Sequence, residues 1–210
     1  KGTIFNETQI DGRTCDCCQT SITMAQEGPM IVYRDRSKNE IRDIYFSQKV
    51  DSVWSQPKAV FNDNWKINGC PVNGPKVVSN KKHIGVAWFT AAEGNPKVKV
   101  SFLDEDTFKA PLVLNDIEAI GRVDAAFINN DELLVSYMES DQNETFLRCK
   151  KVHVDGTVSK AITVSKISSA RNTGVPQLEI LNGDAYLVWT ISVADKNQLK
   201  MIKFNLDGIK

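Results

Sequence analysis

The chain has 210 residues, 41% of them hydrophobic and 25% charged, the balance of an ordinary globular protein rather than a disordered or fibrous one. Lysine plus arginine number 26 and aspartate plus glutamate 26, so no net field draws the chain to nucleic acid or to an anionic lipid surface. The longest apolar runs, such as 84–89, fall far short of the roughly 20 residues that cross a bilayer, so no transmembrane segment is expected.

Runs of Val, Ile, Phe, Tyr and Thr, broken by Gly, Asn, Asp and Pro at intervals of roughly 8–12 residues, predict short strands. In chain order they fall at 21–25, 30–34, 41–48 and 58–62, then at 76–79, 84–90, 97–103 and 112–115. A third group covers 124–128, 133–139, 146–153 and 161–165, and a fourth 177–181, 185–192 and 199–205. No helical periodicity interrupts them. The second strand of each group carries an aromatic residue in its latter half: Tyr33, Trp88, Tyr137 and Trp189, at intervals of 55, 49 and 52 residues (88−33, 137−88, 189−137). Recurrence at this period marks stacked or radially arranged units. The predicted fold is therefore all-β, a β-propeller of four-stranded antiparallel blades with about four blades in this chain, and a β-sandwich is the second choice.

One domain spanning 1–210 is expected, with blades at about 13–63, 64–116, 117–166 and 167–210. The fourth group is one strand short. Residues 1–12, with a strand-like run at 3–9, stand where the outer strand of a preceding blade would be; they either close the last blade or belong to further blades before Lys1.

Two turns, Ser47-Gln48-Lys49-Val50-Asp51-Ser52-Val53-Trp54 and Ser101-Phe102-Leu103-Asp104-Glu105-Asp106-Thr107-Phe108, resemble a worn Asp box, with Lys49 and Leu103 at the usual Asp position. Further segments run in the same order as in a family of bacterial sialidase-like, Asp-box propeller proteins: Thr14-Cys15-Asp16-Cys17-Cys18-Gln19-Thr20, Ile41-Arg42-Asp43-Ile44, Trp65 to Pro75, Val86 to Thr90 and Gly121-Arg122-Val123-Asp124. The resemblance covers the chain from Arg13 to about Phe204 and implies an extracytoplasmic protein whose ligand is a glycan or a small acidic molecule. Members of the family resemble six-bladed propellers and are usually longer at the N-terminus.

In a propeller, the loops leading into the first strands gather on one face, joined there by the loops linking second and third strands. That places Cys15, Cys17, Cys18, Cys70, Arg34, Arg36, Arg42, Arg122, Asp124 and Arg171 on a common face. The planar guanidinium fork binds carboxylate through two hydrogen bonds, so Arg122, Arg171 and one of Arg34, Arg36 or Arg42 are candidates for an anion clamp, as sialidases use. The alternative is that each pins a loop by pairing with a neighbouring acid, Arg42 with Asp43 or Arg122 with Asp124. Tyr137 and Glu139 share one side of a strand, as a tyrosine nucleophile and its carboxylate would, but Tyr137 occupies the repeated aromatic position and reads as packing. The Arg-Ile-Pro segment that supplies sialidases with their first arginine is absent from these residues.

The cysteines allow three states: a disulfide from the cluster to Cys70, a soft or borderline metal such as Zn or Cu(I) held by thiolates, or free thiols. Cys149 reads as an isolated buried thiol. His83 and His153 lie off the common face, and no cofactor is called for. Three functions fit: ligand recognition without catalysis, an exo-α-sialidase-type glycoside hydrolase, or a protein-interaction subunit.

Overall fold

The computed structural model describes residues 7–142, 144–194 and 196–206, and these form an all-β fold of four antiparallel sheets. The first sheet comprises β1 (Ser21–Ala25), β2 (Gly28–Arg34), β3 (Ile44–Val50), β4 (Val53–Trp54) and β5 (Lys58–Ala59), with both short strands paired to β3. The second comprises β6 (Lys76–Ser79), β7 (Ile84–Thr90), β8 (Lys97–Asp104), β9 (Thr107–Phe108) and β10 (Leu112–Val113), the last two paired to β8. A four-stranded meander follows in β11 (Glu118–Phe127), β12 (Glu132–Asp141), β13 (Glu144–His153) and β14 (Ile162–Ile167). Three strands complete the order: β15 (Gln177–Leu181), β16 (Asp184–Val193) and β17 (Lys196–Asn205). The expected strand at 3–9 falls mostly outside the described residues, and Glu7 to Gln9 form no strand.

Turn chemistry sets the hairpins. Asn182 and Gly183 both take positive φ between Leu181 and Asp184, as do Asp51 and Ser52 between Val50 and Val53, which gives two-residue loops whose twist matches the strands. In the turns 47–54 and 101–108 the serine that opens the segment clasps the far side of the turn. Ser47 Oγ donates to Ser55 O at 2.7 Å and Ser101 Oγ to Lys109 O at 2.6 Å.

Alternation along the strands separates three apolar layers, one between each pair of consecutive sheets. In β7, Val86 and Trp88 face the first sheet with Met30, Val32, Ile44 and Phe46, whereas Ala87 and Phe89 face the third. In β12, Leu133, Val135 and Tyr137 join that second layer, and Leu134 and Met138 turn to the fourth sheet with Leu178, Leu187 and Trp189. The first strands also touch in sequence: β1 lies against β6, β6 against β11, and β11 against β15.

Several boundaries differ from the sequence reading, and two of the differences have a visible cause. β3 begins at Ile44 rather than residue 41, because Arg42 N–H donates to Trp65 O and Ile41 bridges Lys66, outside the sheet. β11 reaches back to Glu118, because Gly121 and Arg122, at φ +88° and +51°, form an irregularity that the strand passes through.

Candidate functional site

The loops leading into the first strands are tied together by one repeated device, in which a side-chain oxygen at one sheet accepts a backbone N–H from the next. Gln19 Oε1 accepts from Gly74 at 2.9 Å, Asn73 Oδ1 from Arg122 at 2.7 Å and Asp124 Oδ2 from Leu178 at 2.8 Å. The partners are 55, 49 and 54 residues apart, close to the repeat of the aromatic positions. Two glycines permit the approach. A Cβ on Gly74 would stand 2.0 Å from Gln19 O, and one on Gly121 would stand 2.5 Å from Asn73 Oδ1. Around these contacts the four first strands line one cavity of about 260 Å³, which includes Ser21, Lys76, Asp124 and Gln177.

Beside it lies a cleft of about 380 Å³ formed by Pro71, Val72, Asn73, Ile120, Arg122, Arg171, Gly174 and Val175. Arg122 reaches across to Ala170 O and Ser169 O, both at 2.9 Å, so it pins the loop of the next sheet rather than pairing with Asp124. Burial, and then the charge of Arg171, pull its guanidinium below the ordinary arginine range. Arg171 is exposed on the short 3-10 turn Arg171–Thr173 and forms no ion pair among the described residues. Val72 and Arg122 both have positive φ, at +50° and +51°. A β-branched residue in that region costs about 1–3 kcal/mol and persists only where its surroundings enforce it.

The other predicted members are used differently. Arg34 is 2% exposed and spends its donors on carbonyls: Nε and Nη2 to Asn73 O, Nη1 to Arg42 O and Nη2 to Phe89 O, all between 2.6 and 2.9 Å. Its guanidinium also lies 4.8 Å from the centre of the Trp65 ring and interacts with Cys18 and Cys15. A buried cation so committed has no fork left for a ligand. Arg36 and Arg42 converge with Arg13 on Glu40 at 2.9–3.0 Å. Hydrogen bonds from Arg36 and then Arg42 hold the Glu40 carboxyl down at about 2. Arg42 therefore does not pair with Asp43, which instead accepts the N–H groups of Asn64 and Trp65. Asp124 is buried and bonded to Lys76 at 2.8 Å, to Leu178 N–H and to its neighbour Ala125 N–H.

Tyr137 is fully buried, with its hydroxyl on Leu114 O at 3.1 Å, and burial followed by the Glu139 charge raises its pKa far above the ordinary phenol value. Glu139 accepts the N–H of Asp116 and pairs with Arg148. Neither is presented to a ligand.

The cysteines gather closely. Cys17 and Cys70 form a disulfide. Cys15 Sγ stands 3.5 Å from Cys17 Sγ and 3.5 Å from Cys18 Sγ, and Cys17 Sγ stands 3.9 Å from Cys18 Sγ. Arg42 Nη1 donates to Cys15 Sγ at 3.2 Å. Burial raises the pKa of the Cys18 thiol against the opposing pull of Arg34. Cys149 is an unpaired buried thiol on β13, remote from this group in the fold.

The sequence reading missed Gln19, Asn73 and Glu40. The first two carried a usable signal, since Gln19, Asn73 and Asp124 are spaced by 54 and 51 residues (73−19, 124−73), in step with the repeat.

No family model matches the chain, and no curated protein matches it in sequence. Solved structures do share its fold. An α-L-arabinofuranosidase of Podospora anserina in complex with cellotriose superposes with a TM-score of 0.51 at 10% identity, over 92% of this chain and 64% of that one. An endo-arabinase of Bacteroides thetaiotaomicron gives 0.53 at 15% identity, over 91% and 75%. An α-L-arabinofuranosidase of Fusarium graminearum in complex with an iminosugar inhibitor gives 0.53 at 12% identity, over 88% and 60%. The chain thus spans less than two thirds of two of these proteins, and at such identities the likeness is one of fold. Among the described residues no helix is long and apolar enough to cross a membrane.

Proposed function

We propose that this chain forms consecutive blades of a sialidase-like β-propeller that binds an acidic glycan, or a small acidic ligand, in the cleft between Arg122 and Arg171, without hydrolysing it. The observation that carries the reading is the pair of guanidiniums lining one cleft, the charge of Arg171 acting on Arg122, with no carboxylate among the lining residues. Like charges held together on one wall favour an anion between them, with Arg122 contributing its charge while its terminal nitrogens hold Ala170 O and Ser169 O, and Arg171 offering the fork that suits carboxylate. The positive φ of Val72 and Arg122 supports it, because backbone strain collects where a binding surface needs a set shape. Glycoside hydrolysis ordinarily takes two carboxylates flanking the bond, whereas no carboxylate lines this cleft and Asp124, two residues from Arg122, is committed to internal partners, which favours binding over turnover.

The solved structures that share the fold are named as arabinofuranosidases and an endo-arabinase, which makes glycans the first ligands to try. An extracytoplasmic setting belongs to the same proposal and is supported by the Cys17–Cys70 bond, since disulfides persist in oxidising compartments. The test is a panel of sialylated, uronate-bearing and neutral oligosaccharides, with affinity measured by calorimetry and turnover by chromatography. Acidic sugars should bind, lose at least about tenfold in affinity in Arg171→Ala, and emerge intact. Release of free sugar would replace this reading with the hydrolase one, and binding of neutral sugars alone, indifferent to Arg171, would end it.

A further inference from the structure

Four sulfur atoms from two loops meet beside two buried arginines, and ligand binding in the arginine cleft makes no use of them. The three sulfurs of Cys15, Cys17 and Cys18 are mutually 3.5, 3.5 and 3.9 Å apart. Thiolates bound at about 2.3 Å around one ion are separated by about 3.8 Å in a tetrahedron and about 4.0 Å in a trigonal plane. The observed triangle, with two sides of 3.5 Å and one of 3.9 Å, is close to the tetrahedral spacing and tighter than the trigonal one by up to about 0.5 Å. Cys70 supplies a fourth sulfur through its bond to Cys17.

The charges around this group are also unusual. Arg34 is 2% exposed, and its hydrogen bonds run to carbonyls and toward Cys18; the Asp43 carboxylate acts on it through its charge but forms no ion pair with it among the described residues. Arg42 has a side chain 5% exposed, shares the single Glu40 carboxylate with Arg13 and Arg36, donates to Cys15 Sγ, and keeps a buried Nε without a partner. A buried cation is costly without a compensating charge. Thiolates at Cys15 and Cys18 would supply it. Three thiolates around Cu(I), or four around Zn(II), carry a net charge of −2, which offsets Arg34 together with the excess positive charge of the three arginines gathered on Glu40.

We infer that Cys15, Cys17, Cys18 and Cys70, once their disulfide is reduced, form a binding site for a thiophilic d10 cation, Cu(I) or Zn(II). Thiolate ligands select these ions. The disulfide is the gate. A dithiol reductant gives two electrons and two protons to Cys17–Cys70, leaving two thiols on the protein and one disulfide on the reductant. Each liganding thiol then releases its proton as the metal binds. Cys70 is exposed, so a reductant reaches that end of the bond, while Cys15 and Cys18 are buried and hold the ion away from solvent.

The test uses the full chain, reduced with dithiothreitol and desalted without oxygen, then titrated with Cu(I) or Zn(II) against a chromophoric competitor chelator. One ion per chain is expected in the reduced protein and none in the oxidised one. Cys15→Ser and Cys18→Ser should each weaken binding by more than the 10–100-fold that loss of an outer-shell partner costs. Cys70→Ser separates the two ions: Zn(II) affinity falls with the loss of its fourth ligand, whereas trigonal Cu(I) is kept. Should those variants misfold, alkylation of the wild-type protein decides, with metal shielding the clustered thiols while Cys149 in unfolded chain serves as the reference. Absence of stoichiometric binding by the reduced chain, equal alkylation with and without metal, or a second disulfide between Cys15 and Cys18 as the resting state would overturn the inference.

Discussion

Tyr33 donates its phenolic hydrogen to Asp11 Oδ2 at 2.6 Å, across 22 residues of chain. Two other recurring aromatics do the same toward the preceding sheet: Trp88 Nε1 donates to Asp63 at 2.8 Å, 25 residues back, and Tyr137 to Leu114 O at 3.1 Å, 23 residues back. Asp63 and Leu114 lie just past the outermost strands of the first and second sheets. Asp11 occupies the corresponding place ahead of the first. A hydrogen bond to a charged acceptor contributes about 1.5–3 kcal/mol. Tyr33→Phe should therefore lower stability by about that much in urea unfolding, and adding Asp11→Ala to it should cost less than Asp11→Ala does alone, because the Tyr33 bond is already gone and only the Arg13 N–H bond to Asp11 Oδ1 is left to lose.

Gly121→Ala should be strongly damaging beside the arginine cleft. The added methyl would meet Asn73 Oδ1 at 2.5 Å and Phe89 at 2.8 Å, at a backbone φ of +88°. Relief requires moving Asn73, which also holds Arg122 and accompanies Arg34. A loss of about 2–4 kcal/mol is expected from overpacking and strain together. Thermal unfolding checks it, and ligand affinity should fall in the same variant.

Val72→Gly should have opposite effects on stability and binding. Glycine tolerates φ +50° without the β-branched penalty, so the variant should gain roughly 1 kcal/mol after the entropy cost of glycine is subtracted. The freed cleft wall should bind acidic oligosaccharide more weakly. A variant less stable than the parent would show that Val72 is held there by packing rather than under strain.

Acid should loosen the loop around Glu40. Its carboxyl titrates at about 2 in the folded chain and at about 4.3 in an unfolded one, so its contribution is complete above roughly pH 5 and vanishes as pH falls toward 2. Glu40→Gln should remove that share of the acid sensitivity, so that the fall in melting temperature between pH 5 and pH 2 is smaller than in the parent. An identical fall in both would place the acid-labile group elsewhere.

Most of the strands were readable because two-residue alternation and β-branched runs are local signals. Strands 76–79, 84–90 and 177–181 appear where that pattern puts them. The pattern failed at Gly121-Arg122, which reads as part of the loop leading into the strand at 124–128 but is an irregularity inside β11. The arginines were legible as a group and illegible one by one. What separates Arg34 from Arg171 is the carbonyls of Asn73 and Phe89, 39 and 55 residues away, and no spacing rule marks which loop oxygens a guanidinium will find. The link from Cys17 to Cys70 was one of several arrangements the cysteines allowed, because only the packing of the first two sheets brings their loops together.

β12 presents Leu133 and Val135 to one apolar layer and Leu134 and Met138 to the next, so it is lined by hydrocarbon on both sides. Its amide protons should be among the slowest in the chain to exchange with deuterium. β17, where Leu199 and Met201 are 76% and 59% exposed, should surrender its amide protons first, making the fourth sheet the place where opening of the molecule begins.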